Sequence, residues 1–284
     1  MQIPQTTNLI LNLAPTGMAP TRELSASVPL QPSEIVADVL ACADLGISSV
    51  HIHARDENGT PTHRKEIYAR IIAGIREKRP DLVICVSCSG RGGATLDQRS
   101  EVLTLEGDLQ PDLASLTLSS LNFSRGASVN SPDTVISLAN KMRSVGIKPE
   151  LEIFDLGMAN VVNYLIDHGL IEPPYYANLI LGNIASAQAR FLDIGSLLAA
   201  MPANITYCLG GVGNVQFVIA GMAAAASPGV RIGLEDNLWL DNERSIPASN
   251  SAMITKVHAL ASLHNRSIMN PHELRQRLGL RPSW

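Results

Sequence analysis

With 284 residues, 45% of them hydrophobic and 17% charged, the chain has apolar material for one large core and no stretch that reads as a disordered tail. A net charge of −4, with Lys and Arg scattered, argues against nucleic acid and anionic membranes as partners and leaves room for a small acidic ligand in a local basic pocket. No apolar run approaches the ~20 residues of a membrane span, and the polar start Met1-Gln2-Ile3-Pro4-Gln5 has no signal-peptide pattern, so a cytoplasmic protein is expected. The four cysteines are too few for a disulfide framework, and Cys85 and Cys88 have CxxC spacing without a second pair, so all four are expected as reduced, buried thiols.

In chain order, strand-like apolar runs alternate with segments of helical period. Residues 9–13 read as the first strand and 14–31 as a loop rich in Pro, Thr and Ser. Pro32 and Glu34 then favour a helix over 33–45 that Gly46 ends. The second strand, 48–53, closes in His51 and His53. A helix over 64–78 carries Ile67, Ile71, Ile72 and Ile75, the third strand is 82–87, and Ser89-Gly90-Arg91-Gly92-Gly93 leads to a helix over 96–105. The pattern continues with strands at 113–117, 150–154, 178–181, 205–209 and 230–234, and helices at 132–145, 158–168, 188–200 and 215–226. Helices at 251–263 and 271–280 close the chain. Eight strand-helix units without a break in composition predict one (β/α)8 barrel over residues 1–284, with a C-terminal helical extension.

In such a barrel the catalytic groups stand at the C-terminal ends of the strands. Alternation along the second strand puts His51 and His53 on one face, which suits a metal ion, against the alternative of two satisfied polar groups at a strand end. A catalytic zinc takes a third protein ligand, and Arg231-Ile232-Gly233-Leu234-Glu235-Asp236-Asn237 supplies two adjacent carboxylates, of which one can be the ligand and the other a base. Arg231 and Glu235 are four residues apart and are expected on the same inward side, either serving the site or only pairing to close the barrel. Ser87 and Thr117 fall at strand ends. Glu150 and Glu152 form a second carboxylate pair, one expected to meet a cation lower in the barrel and the other near the mouth. The Gly210-Gly211-Val212-Gly213 run reads as a tight turn more than as a phosphate loop.

These residues resemble the β-keto acid cleavage enzymes. The resemblance runs through Ala14-Pro15-Thr16-Gly17, Val50-His51-Ile52-His53-Ala54-Arg55-Asp56, Ser115-Leu116-Thr117 with Asn122-Phe123, Lys148-Pro149-Glu150-Leu151-Glu152-Ile153-Phe154-Asp155, Arg231 to Asn237, Asn250 and Leu278-Gly279-Leu280. It implies a zinc-dependent homodimer or homotetramer that reacts a β-keto acid with acetyl-CoA to give acetoacetate and a new acyl-CoA. It further implies zinc on His51, His53 and Glu235, Asp236 as the base oriented by Arg231, and Ser87 and Thr117 on the substrate carboxylate; Glu152 is the next candidate for the base should Asp236 not serve. Ser87-Cys88-Ser89-Gly90 departs from the Ser/Thr followed by Thr-Gly-Gly of many relatives. A CoA-independent zinc aldolase or hydrolase and a non-catalytic barrel that binds a small acid are the alternatives. The loop Thr16-Gly17-Met18-Ala19-Pro20-Thr21 has no acid before Glu23, so a neutral or hydroxylated substrate tail against Met18 and Ala19 is expected in preference to an aminated one.

Overall fold

Short strands buried on both faces have no water for their backbone N–H and C=O groups, which must pair with neighbouring strands. In the computed structural model, which describes residues 8–282, eight such strands pair in parallel and the sheet closes on itself. They are β1 (Ile10–Leu13), β2 (Ser49–Ile52), β3 (Val83–Val86), β4 (Leu113–Thr117), β5 (Lys148–Ile153), β6 (Tyr176–Leu181), β7 (Thr206–Gly211) and β8 (Gly229–Ile232). Closure is made by β1 against β8, with Leu13 opposite Ile232. The fold is the expected (β/α)8 barrel.

Helices α1 (Pro32–Leu45), α2 (Lys65–Arg76), α3 (Leu96–Ser100), α4 (Pro132–Ser144), α5 (Leu156–Asp167), α6 (Phe191–Ala200), α7 (Gln216–Ala226) and α8 (Asn250–Leu263) follow the strands in turn. Their starts are set by local chemistry. Glu34 accepts from the backbone N–H groups of Leu30 and Gln31 at the entry to α1, and Ser131 accepts from Thr134 N at the entry to α4. α5 begins two residues earlier than its periodicity predicts because the Asp155 carboxylate caps Met158 N. α6 begins three residues later than expected, since Asp193 accepts from both Gln188 N and Arg190 Nε and bends the approach. Helix α3 stops at Ser100 and tightens into a 3-10 turn over Glu101–Thr104. After β4 the chain folds back in a hairpin, Leu121–Asn122 against Ala127–Ser128, that the sequence pattern does not reveal. Among the described residues no helix is long and apolar enough to cross a membrane.

The final helix, α9 (Pro271–Leu278), closes the bottom of the barrel where an extension was expected. Met269, Leu274 and Leu278 pack against Ile10, Val83, Leu113 and Tyr176 from the strand starts. Arg275 on the same helix grips Asp112 with two parallel bonds, Nη1 to Oδ1 at 2.8 Å and Nη2 to Oδ2 at 2.9 Å. Asp112 also accepts from Ile84 N at 2.9 Å and is fully buried. Removing one partner of a buried, bidentate pair strands the other charge. Arg275→Ala is therefore expected to lower stability by about 3 kcal/mol, at the low end for such pairs because the Arg76 guanidinium remains near Asp112. Urea unfolding at constant m-value reads the loss, and an unchanged midpoint would show that α9 does not anchor the barrel.

Candidate active site

The inward side chains change character with depth. Above the apolar floor lies a polar layer, in which Ser49 donates to Asn12 Oδ1 at 3.0 Å and Asn12 donates to Glu150 Oε2 at 3.1 Å. His51 stands on this layer, and its Nδ1 meets Glu150 Oε1 at 2.6 Å with both side chains fully buried. That contact fixes the ring and turns Nε2 upward, towards the open end of the barrel. His53, two residues on, brings its own Nε2 to 3.2 Å from His51 Nε2 and to 3.3 Å from Glu235 Oε1.

These separations test the cluster as a metal site. Ligand atoms at about 2.0–2.1 Å from a tetrahedral zinc lie about 3.3 Å from one another. His51, His53 and Glu235 match that edge length at both measured separations, and Glu235 Oε2 is buried with no protein partner. Burial pushes the His53 ring down towards its neutral form, ahead of the pull of Glu235. Burial also works against a charged His51, but Glu150 and Glu235 outweigh it and raise that ring. The two imidazoles face each other through their Nε2 atoms beside the Glu235 carboxylate, a position suited to a divalent cation. Cys85 lies near His51 and Glu150, but burial and Glu150 push its thiol well above its ordinary range, and the short His51–Glu150 bond occupies the space between those two groups.

Glu235 reaches the cluster because the chain after β8 turns sharply. Gly233 has φ +151°, and a Cβ there would overlap the Ala14 carbonyl, which in turn accepts from Glu235 N at 3.1 Å. Gly17, at φ +66°, passes so close that a Cβ would stand 2.5 Å from Glu235 Cγ. Asn250 joins the two segments, donating to Pro15 O at 3.1 Å and accepting from Leu234 N at 2.9 Å. Arg55 holds the first loop from the other side by donating to the carbonyls of Gly17, Pro20 and Gly59.

Arg231, 1% exposed, lies between the two carboxylates, with Nη2 2.8 Å from Glu235 Oε1 and Nε 3.0 Å from Asp236 Oδ2. Its Nη1 is buried without a protein partner. Burial raises both carboxyls, but with different outcomes. For Glu235 the His53, Arg231 and His51 charges win and hold it well below the carboxylate range. For Asp236 burial prevails over Arg231, with Glu235 adding repulsion, and the carboxyl is pushed up to about 6. Two adjacent carboxylates are thereby separated in proton affinity, one suited to a cation and one to proton transfer.

A cavity opens over the cluster at the C-terminal end of the barrel. His53, Glu235, Asp236 and Arg231 form one wall, and Ser87, Thr117 and Glu152 another. Thr117 Oγ1 donates to Glu152 at 2.5 Å. Met18 and Ala19 line the cavity, and Glu23 is exposed and outside it. Of the carboxylate pair on β5, Glu150 serves His51 from below and Glu152 faces the cavity. Gly210 and Gly211 extend β7, and Gly210 leaves space for the Arg231 side chain. Arg91, Phe123 and Asn183 also line the cavity, and sequence assigned none of them a role in the site, although Phe123 carries part of the family resemblance. Arg91 follows a strand end in a glycine-rich run, which is the one sequence signal that marks it.

A profile of the beta-keto acid cleavage enzymes matches residues 8–280. The chain belongs to that family. It is 32% identical to the 3-keto-5-aminohexanoate cleavage enzyme of Acetoanaerobium sticklandii, over 96% of this chain and 98% of that one. It is also 32% identical to the 3-oxoadipate:acetyl-CoA acetyltransferase of Cupriavidus necator, over 95% of this chain and 94% of that one. The fold resembles the binary complex of ObcA with oxaloacetate at a TM-score of 0.78 and 20% identity, over 91% of this chain and 68% of that one. Equal identity to relatives with differently named substrates means that overall similarity does not choose the substrate of this family member.

The Glu150–His51 bond gives the first test of the site. Glu150→Gln keeps the shape and removes the charge that orients the ring. The affinity of the cluster for a divalent cation is expected to fall ~10–100-fold, as measured by chelator competition. Unchanged affinity would show that His51 is oriented by something else.

Proposed function

We propose that the protein condenses a β-keto acid with acetyl-CoA and cleaves the product to acetoacetate and a new acyl-CoA, using zinc held by His51, His53 and Glu235. The observation that carries this reading is the meeting of those three ligand atoms, 3.2 and 3.3 Å apart, beside an Asp236 held by Arg231, in a chain of this family. Two imidazoles and one carboxylate suit zinc and leave a coordination position for substrate. Bound there, zinc supplies Lewis-acid polarisation of the keto oxygen, which makes the adjacent α-proton easier to remove.

Asp236 takes that proton from the carbon between the keto and carboxylate groups. Arg231 keeps the Asp236 carboxylate in place through Nε and retains a free N–H on Nη1 for substrate. Ser87 and Thr117 offer hydroxyls to the substrate carboxylate, and Glu152, bonded to Thr117, fixes the latter. The resulting carbanion attacks the thioester carbon of acetyl-CoA, and CoA leaves as the thiolate. The thiolate then attacks the former keto carbon. The bond between that carbon and the α-carbon breaks, the electron pair returns to the α-carbon, and protonation there gives acetoacetate while the original acyl group leaves on CoA. Proton removal and return occur at one carbon, so a single carboxylate serves both.

Identification of the acyl-CoA formed from a panel of β-keto acids tests the reaction, and acetoacetate released without acetyl-CoA would contradict it. His51→Ala and His53→Ala are each expected to lose most of the bound zinc by elemental analysis, and retained metal in both would sink the ligand set. Asp236→Asn is expected to keep the metal and lose ~10²–10⁴-fold in turnover, because an amide accepts no proton. Wild-type turnover in that variant would transfer the role of base to Glu152.

A further inference from the structure

The cavity holds a cation that the chemistry above does not use. Arg91 lies on the loop after β3, and its guanidinium carbon sits 4.2 Å over the centroid of the Phe123 ring. Among the described residues no carboxylate or carbonyl accepts a hydrogen bond from it. The other charged side chains named on the cavity wall each have an ionic or hydrogen-bonded protein partner, although Arg231 keeps Nη1 free. Arg231 holds Glu235 and Asp236, and Glu152 takes the Thr117 hydroxyl.

The loop that carries Arg91 is braced. Arg91 forms a β-bridge with Ser128 of the hairpin, and its N–H donates to Ser89 Oγ at 3.2 Å. Arg99, 2% exposed, donates to Cys88 O at 2.8 Å and to Val129 O at 3.1 Å, tying the loop to the hairpin below Phe123. A guanidinium held over an aromatic ring keeps its charge while its in-plane N–H groups remain free for a planar anion. Burial already works against the charge on Arg91, with Glu235 and Glu152 too distant to pair with it and only partly offsetting that cost.

A substrate filling the cavity removes further water from Arg91. A methyl-ended tail would leave the cation desolvated and unpaired, an ammonium-ended tail would repel it, and a carboxylate would accept two of its N–H groups. We propose that Arg91 is the specificity-determining residue for the far end of the substrate, and that the β-keto acid used by this protein carries a second carboxylate there. The inference rests on the function proposed above. Met18 and Ala19, on the cavity lining, suit the methylenes between the two ends. It differs from the neutral tail expected from sequence and, like that expectation, disfavours an amine.

The test compares 3-oxoadipate with 3-oxohexanoate, equal in chain length, in the wild-type enzyme and in Arg91→Gln and Arg91→Lys. The wild type is expected to favour the diacid. Arg91→Gln is expected to reduce the ratio of kcat/KM, diacid over monoacid, by ~10²-fold, chiefly through KM of the diacid, with partial recovery in Arg91→Lys. A wild-type preference for the monoacid, or a ratio unmoved by Arg91→Gln, overturns the proposal. A raised KM for acetyl-CoA with an unmoved ratio also overturns it and assigns the residue to CoA. Calorimetric binding of the unreactive diacid adipate separates this failure from failure of the reaction. If no β-keto acid turns over, Arg91-dependent adipate binding upholds the proposal while the reaction falls, and adipate binding that Arg91→Gln leaves unchanged overturns it.

Discussion

The site depends on Arg231. A guanidinium 1% exposed near the axis of a barrel would be prohibitive alone, and two carboxylates brought within 3 Å of it would be equally costly without it. Together they form a rigid unit that sets Glu235 towards His53 and Asp236 towards the cavity. The glycines that admit this unit follow from its size. Gly210 clears space beside the Arg231 side chain, and Gly17 and Gly233 let the first and last βα loops close on Glu235. The close approach of two loops and one strand end therefore accompanies one buried cation and its carboxylates.

The interior is stratified accordingly. The floor, where α9 meets the strand starts, is apolar, and beside it Asp112, just before β4, gathers Arg275 and Arg76 and accepts from Ile84 N of β3. The middle layer, Asn12, Ser49 and Glu150, is polar and serves to hold His51. A polar middle layer weakens the core that barrels usually place there. The closed floor offsets this by burying Met269, Leu274 and Leu278 against four strands. Stability is concentrated at one end of the barrel and chemistry at the other.

Much of this is legible in the chain. Alternating apolar runs and helical periods give the barrel, and the His-x-His at a strand end with Glu-Asp after the last strand gives the cluster, because side-chain direction in a strand follows from residue parity alone. Depth does not. Parity places Glu150 and Glu152 on the same inward face, and only the register, Glu150 opposite Ser115 and Glu152 opposite Thr117, sends one to His51 and the other to the cavity. Segments without a period are similarly opaque. The hairpin at Leu121–Asn122 and Ala127–Ser128 has two-residue strands, too short for any pattern, yet it places Phe123 under Arg91.

The division between strands and loops explains how one family holds members with different named substrates. His51, His53, Glu235 and Asp236 sit on, or one turn beyond, strands whose positions are fixed by sixteen buried edges of hydrogen-bonding backbone, two for each of the eight strands of the closed sheet. Arg91, Phe123, Met18 and Ala19 sit on loops, where sequence is freer to vary and a substitution changes what the cavity accepts. In such a barrel the reacting end follows from strand geometry and the far end of the cavity from loop chemistry. The cation over Phe123 stands on such a loop, apart from the strand-borne groups at the reacting end of the cavity.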